Sequence, residues 1–169
     1  VSLEFSYIGF GANLGQPQEM FARVLREMDG TSGKVKRVSR MYRTTPWGNA
    51  PGADYLNAVI EWETLQRARN VLLMLQGLER ANGRERTHLN APRVCDLDLL
   101  LHRDEIITQQ DLSVPHPRLH LRRFVLAPLC ELIPDERHPL LGVSFRDLLS
   151  SVDDDGRVVP LVSQGTLIL

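Results

Sequence analysis

The sequence predicts an α+β fold: a single domain over residues 1–162 whose largely antiparallel sheet carries packed helices, followed by a loose tail at residues 163–169. Length is the first observation, because 169 residues, at roughly 150 per domain, leave room for about one compact unit. The second is periodicity: apolar residues switch between repeats of about 2 and about 3.6 in the order strand, helix, strand, strand, helix, strand. Third, no GxGxxG follows the first strand and no GxxxxGK[ST] occurs, which removes the Rossmann and P-loop ways of holding a nucleotide.

Ser6 to Phe10 is short, apolar and aromatic, and Gly11-Ala12-Asn13-Leu14-Gly15 breaks it, as a strand entering a tight loop does. From Gln16 onward Met20, Phe21, Val24, Leu25 and Met28 recur at helical spacing, and the helix ends before Gly30 and Gly33. Lys34 to Tyr42, anchored by Val35 and Val38, is a second strand. Thr44 to Gly52 holds two prolines and two glycines in nine residues, so a long loop of the lid or binding kind is expected there. Leu56 to Glu63 alternates, with Leu56, Ala58, Ile60 and Trp62 on one face and Asn57, Val59, Glu61 and Glu63 on the other.

Val71, Leu72, Leu75 and Leu78 form the stripe of a second helix of roughly fifteen residues that stops at Gly83. The polar loop from Gly83 to Arg93 carries Arg84, Arg86 and Arg93. Val94 to His102 is a fourth strand, with Glu105 to Thr108 its expected short partner across the Arg103-Asp104 turn. After a loop rich in proline and histidine, Ala127 to Ile133 is helical with Pro128 in its first turn. Ser144 caps a last short helix, and Val158 to Val162 is a final strand.

Lysine plus arginine number 20 and aspartate plus glutamate 21, a net charge of −1. That balance excludes a nucleic-acid or anionic-membrane binder working through bulk charge. No apolar run approaches the ~18 residues of a membrane span, and Glu4 stands where a secretion signal needs apolar residues. A cytoplasmic protein is expected, with Cys95 and Cys130 as buried reduced thiols, since neither belongs to a CxxC pair or a His/Cys cluster.

Asp96-Leu97-Asp98 lies on a strand, so its two carboxylates project from one face, ~7 Å apart at Cα, while Leu97, Leu99 and Leu101 take the other. Two anions on one face repel, and a divalent cation converts that cost into binding; hard oxygens suit Mg²⁺ together with substrate phosphates. Taken alone, the tripeptide is also compatible with a solvated strand face. Arg84, Arg86 and Arg93 lead into it, and Arg118, Arg122 and Arg123 follow His116, so two basic loops can converge on a polyphosphate. Asn57, on the less apolar face of its strand, offers a donor and an acceptor to the edge of a flat heterocycle. Tyr55 and Phe124 flank loops where an aromatic serves either the core or a ligand.

Taken together these segments resemble the 6-hydroxymethyl-7,8-dihydropterin pyrophosphokinases of the folate pathway. The resemblance rests on Gly11 to Gly15, Tyr42 to Gly48, Asp54 to Ala58, Glu79 to Arg86, Ala91 to Asp98, Val114 to Arg118 and Arg122 to Phe124. It implies a ferredoxin-like, three-layer α/β/α core and a monomer that moves pyrophosphate from ATP to the pterin alcohol and releases AMP. Asp96 and Asp98 would hold two Mg²⁺ ions, and Arg84 and Arg93 would neutralise charge during in-line attack on the β-phosphorus. Gln76, Glu79, Arg84, Arg93, Leu99, Ser113, His116 and Arg122 would line the ATP site. Gly11, Thr44, Thr45, Pro46, Trp47, Tyr55, Asn57 and Phe124 would line the pterin site, with Tyr55 and Phe124 sandwiching the ring. No side chain fits the task of general base.

Two departures stand out. Leu89-Asn90-Ala91-Pro92-Arg93 replaces the family's common basic-Trp-Gly-Pro-Arg, and Leu121 stands where a polar or acidic residue is frequent. They are expected to alter lid closure and ATP affinity more than the chemistry. The competing readings are another Mg²⁺-dependent phosphoryl or nucleotidyl transferase, and a catalytically silent nucleotide-binding module.

Overall fold

A computed structural model of the chain describes residues 5–30, 32–83 and 93–162. Its elements are β1 (Ser6–Ala12), α1 (Pro17–Asp29), β2 (Gly33–Val38), β3 (Tyr42–Thr44), β4 (Tyr55–Thr64) and α2 (Ala68–Ala81), then β5 (Asp96–His102), β6 (Ile107–Gln109), β7 (Leu112–Val114), α3 (Arg123–Leu132), α4 (Phe145–Ser151) and β8 (Val158–Pro160). The result is a mixed helix and sheet fold. The main sheet runs β5-β1-β4-β3-β8, with β2 also on β4, and its pairs are antiparallel.

Strand alternation divides the apolar residues between two cores. Ile8, Phe10 and Ala12 of β1 and Ala58, Ile60 and Trp62 of β4 pack with Phe21, Val24, Leu25 and Met28 of α1 and Val71 and Leu75 of α2. Tyr7 and Val59 meet Val125, Leu126 and Leu129 of α3 and Phe145 and Leu148 of α4. Of the two helical stripes read from the sequence, Phe21, Val24, Leu25, Met28, Val71 and Leu75 are buried, and Met20, Leu72 and Leu78 pack partly buried against the same core.

Several local expectations change. Lys34 to Tyr42 is two strands rather than one. Both pair with β4, and between them Ser39 holds the connection by donating N–H to Val59 O and accepting from Val59 N–H at its Oγ, each at 2.9 Å. Glu105 to Thr108 does not pair with β5; β6 pairs instead with β7 in a separate hairpin. Helix α3 starts at Arg123, four residues earlier than Ala127. Its first N–H is capped at 2.8 Å by Asp154 Oδ2, and burial of Val125, Leu126, Leu129 and Leu132 outweighs the cost of Pro128 inside the helix.

Leu101 also changes side. The β1–β5 register pairs Tyr7 with Leu101 but Ile8 with Leu99, so Leu100 is an extra residue and the face of the strand inverts beyond it. Leu97 and Leu99 join the first core, Leu100 and Leu101 the second. Cys95 is buried and Cys130 partly buried, and neither is in a disulfide. Among the described residues no helix is long and apolar enough to cross a membrane.

Candidate active site

The antiparallel register aligns two rows across three strands. Asp96 of β5 lies beside Gly11 of β1, which lies beside Asn57 of β4; Asp98 lies beside Gly9, which lies beside Val59. Glycine in the middle of both rows leaves a bare strip between the carboxylates and the amide, roughly 10 Å across at ~4.8 Å per strand. At Gly11 the space is needed, since a Cβ there would meet Asn57 Oδ1 at 2.8 Å. The Asn57 amide is fixed by donating Nδ2–H to Thr44 Oγ1 at 2.6 Å.

This strip floors a cavity of about 360 Å³. Asp96, Asp98, Arg93, His116 and Arg122 line it, and so do Gly11, Thr44, Thr45, Pro46, Trp47, Tyr55, Asn57 and Phe124. Gln76, Glu79, Leu99 and Ser113 do not line it. Leu99 is buried in the core with α1 and α2, and Glu79, also buried, accepts the Leu97 N–H at 2.8 Å through Oε1. Arg84, Arg86 and the Leu89-Asn90-Ala91 departure lie outside the described residues.

Asp96 Oδ2 pairs with Arg93 Nη1. Burial pulls the Arg93 pKa down, but Asp96 and then Asp98 more than offset it, and the net direction is upward. Arg93 itself is tied to the end of β1: Asn13 Oδ1 accepts its N–H at 2.8 Å, and Arg93 O accepts from Asn13 N at 2.9 Å and Leu14 N at 3.3 Å. Asn13 Nδ2 also donates to Ala53 O at 3.4 Å, so one side chain touches both loops that border the cavity.

Basic and aromatic residues complete the lining. His116 is held neutral, its pKa lowered to about 4 by burial and by Arg122 and Arg118. Its Nδ1 accepts the Arg118 N–H at 3.1 Å, which leaves Nε2 as the donor. Arg122 is lowered by burial and by Arg118. Its guanidinium lies 4.9 Å from the Trp47 ring centroid and 5.5 Å from that of Phe124. Among the described residues neither Arg118 nor Arg122 has a carboxylate within ion-pair distance. Asp98 and Asp96 nevertheless lie near enough for their charges to raise the Arg122 pKa against burial and Arg118.

Sequence reasoning named Asn13 only inside a loop signature, Arg118 only as part of a basic loop and Ala50 to Gly52 only as part of a lid or binding loop; all of them line the cavity. Asn13 stood inside the Gly11 to Gly15 signature and Arg118 directly after His-Pro, so a signal existed for both. Nothing in the spacing revealed that Asn13 reaches Arg93, 80 positions away.

Comparison with known proteins identifies the family. The model of 7,8-dihydro-6-hydroxymethylpterin-pyrophosphokinase matches residues 7–134. The 2-amino-4-hydroxy-6-hydroxymethyldihydropteridine pyrophosphokinase of Methylorubrum extorquens is 33% identical over 89% of this chain and 95% of its own length. Its counterpart in Haemophilus influenzae is 36% identical over 77% and 82%. The folic acid synthesis protein fol1 of Schizosaccharomyces pombe is 33% identical over 90% of this chain, which spans only 21% of that longer protein. Among solved structures, an HPPK-DHPS in complex with substrates superposes with a TM-score of 0.70 at 12% identity, covering 89% of this chain and 43% of that one. The wild-type HPPK-DHPS of Plasmodium falciparum with SDX-DHP gives 0.68 at 13%, again over 89% and 43%. These two likenesses concern the fold. On the family match and on relatives whose length it nearly spans, the chain belongs to the 7,8-dihydro-6-hydroxymethylpterin-pyrophosphokinase family.

Proposed function

We propose that the family's reaction, pyrophosphoryl transfer from ATP to 6-hydroxymethyl-7,8-dihydropterin with release of AMP in folate synthesis, takes place in the cavity above the Gly9–Gly11 strip. The observation that carries this reading is the row Asp96-Gly11-Asn57. It sets a phosphate-side carboxylate and a heterocycle-reading amide on opposite sides of an open floor.

The pterin is assigned to Asn57, Thr44 and Gly11, with its ring between Tyr55 and Phe124 and with Thr45, Pro46 and Trp47 around it. The phosphates are assigned to Arg93, His116 and Arg122, with Arg84 from the neighbouring segment. His116, neutral and with Nε2–H free to donate, adds a hydrogen bond without adding charge. Gln76, Glu79, Leu99 and Ser113 are assigned to the nucleotide's far end. Glu79 and Leu99 would act there by holding β5, because both are buried.

The donor set suits magnesium. Asp96 and Asp98 offer only carboxylate oxygens, and among the described residues no group of three metal-ligating side chains completes a protein cage. Mg²⁺ accepts that poverty because it keeps water and takes phosphate oxygens. Two ions are assigned to this pair; when bound they supply charge neutralisation on the phosphates and acidify the pterin alcohol. Arg93 would then move from Asp96 toward charge developing on the leaving AMP. The aromatic residues of the lining would limit the entry of water, whose attack would waste ATP.

The same proposal includes a monomer acting in the cytoplasm. It also includes a single domain over 1–162 with a ferredoxin-like core, in which β1, α1, β2/β3, β4, α2 and β5 form a three-layer α/β/α arrangement with α3 and α4. The test follows nucleotide products with ATP, Mg²⁺ and the reduced pterin alcohol. AMP is expected, and its formation is expected to fall by on the order of 10³-fold with Asp96→Ala. ADP, or AMP formation untouched by that substitution, contradicts the reading.

A further inference from the structure

Trp47 stands 40% exposed at the cavity mouth, in a 3₁₀ turn (Trp47–Asn49) whose Gly48 has φ 69°. Two guanidinium groups approach its ring, Arg122 at 4.9 Å and Arg118 at 5.9 Å, and Arg122 also lies 5.5 Å from the Phe124 ring. Like charges do not gather without cause. Among the described residues Asp98 and Asp96 act on Arg122 only through their charge, and the buried Arg122 Nε lacks a hydrogen-bond partner.

Aromatic faces resolve this arrangement. A guanidinium is planar, so stacking uses its faces while its N–H donors radiate along the edge. In contact with both the Trp47 and Phe124 rings, Arg122 has its orientation set before any anion arrives. Less conformational freedom is then lost on binding.

We infer that Trp47 is a positioning residue for the nucleotide: it acts through Arg122, with Arg118 as the second cation, to pre-form a phosphate receptor. This rests on the assignment of the basic lining residues to the ATP phosphates, and it moves the main effect of Trp47 from the pterin side to the nucleotide side.

Calorimetric titration with a non-hydrolysable ATP analogue plus Mg²⁺, and separately with a pterin analogue, tests it on the wild type, Trp47→Leu, Arg122→Ala and the double variant. Trp47→Leu is expected to weaken nucleotide binding about fivefold and pterin-analogue binding by less than about twofold. In the Arg122→Ala background the nucleotide loss from Trp47→Leu is expected to shrink below about twofold. Trp47→Phe, which keeps a ring, is expected to recover part of the affinity. Unchanged nucleotide affinity in Trp47→Leu, a loss confined to the pterin analogue, or an equal loss with and without Arg122 overturns the role. AMP release by the wild-type chain is scored separately, so a missing Trp47 effect with AMP release intact counts against Trp47 alone.

Discussion

Four residues apart on one face of β4, Asn57 and Glu61 begin two polar networks built on opposite terms. Glu61, 2% exposed, accepts from the Tyr7 hydroxyl at 2.9 Å and from Arg37 at 2.9 and 2.5 Å. Its charge is closed within the protein. At the Asn57 end, glycines replace the side chains of β1, two carboxylates line the cavity, and Arg118 and Arg122 lean on an indole. The same strand thus carries one network closed among protein side chains and one that lines the cavity. A buried charge that is closed contributes to holding the fold, whereas charges left open are organised for a substrate.

Breaking the open end should cost rate and spare stability. Asp96→Ala is expected to lower AMP formation by on the order of 10³-fold, with the urea midpoint near that of the wild type. Breaking the closed end should do the reverse. Glu61→Ala strands the buried Tyr7 hydroxyl and is expected to cost about 3 kcal/mol in urea unfolding, with kcat for AMP formation unchanged.

Between these extremes lies Asn13, which belongs to the open end but touches no charge. Asn13→Ala removes the acceptor for the Arg93 N–H and is expected to lower kcat about tenfold, on the order of one hydrogen bond. The KM for the pterin should move much less. A change in the pterin KM alone would separate Asn13 from Arg93.

Acid provides the smallest and finest comparison. His116 at the open end and His138, buried beside Phe145, both have pKa values lowered to about 4, in each case chiefly by burial. Each therefore binds its proton in the unfolded chain at about 6.5 but in the folded chain only near 4. The stability they permit is fully present above pH 6.5 and is lost as pH falls from there toward 4. For His138 the loss is on the order of 2 kcal/mol, read from urea unfolding at pH 7 and pH 5 with His138→Gln as control. Bound nucleotide is expected to raise the His116 pKa, seen as a shifted imidazole titration by NMR, and to leave that of His138 unchanged.

Much of the fold was legible because its signals are local. The stripes of α1 and α2, the alternation of β4 and the Ser144 cap, where the Asp147 N–H donates to Ser144 Oγ at 3.1 Å, each follow from neighbours within a few residues. The shared face of Asp96 and Asp98 was legible for the same reason. Leu101 was not, because the extra residue at Leu100 depends on how β1 pairs with β5. Nor was the start of α3 at Arg123, whose cap comes from Asp154, 31 positions on. The division of Lys34 to Tyr42 depends on Ser39 meeting Val59 across the sheet. The lining residues Asn57, Tyr55 and Phe124 could be named from sequence, but the bare Gly9–Gly11 strip beneath them appears only once three strands are in register.

The central claim is that Asp96 and Asp98 share one ligand-facing site and hold the cations that carry ATP. Anomalous diffraction from crystals containing Mn²⁺ and a non-hydrolysable ATP analogue tests it most directly. The account predicts manganese peaks at coordination distance from both carboxylates and from the analogue's phosphate oxygens, with Arg93 turned away from Asp96. Peaks that avoid the pair, or an Asp96 still bound to Arg93 with nucleotide seated elsewhere, would contradict it.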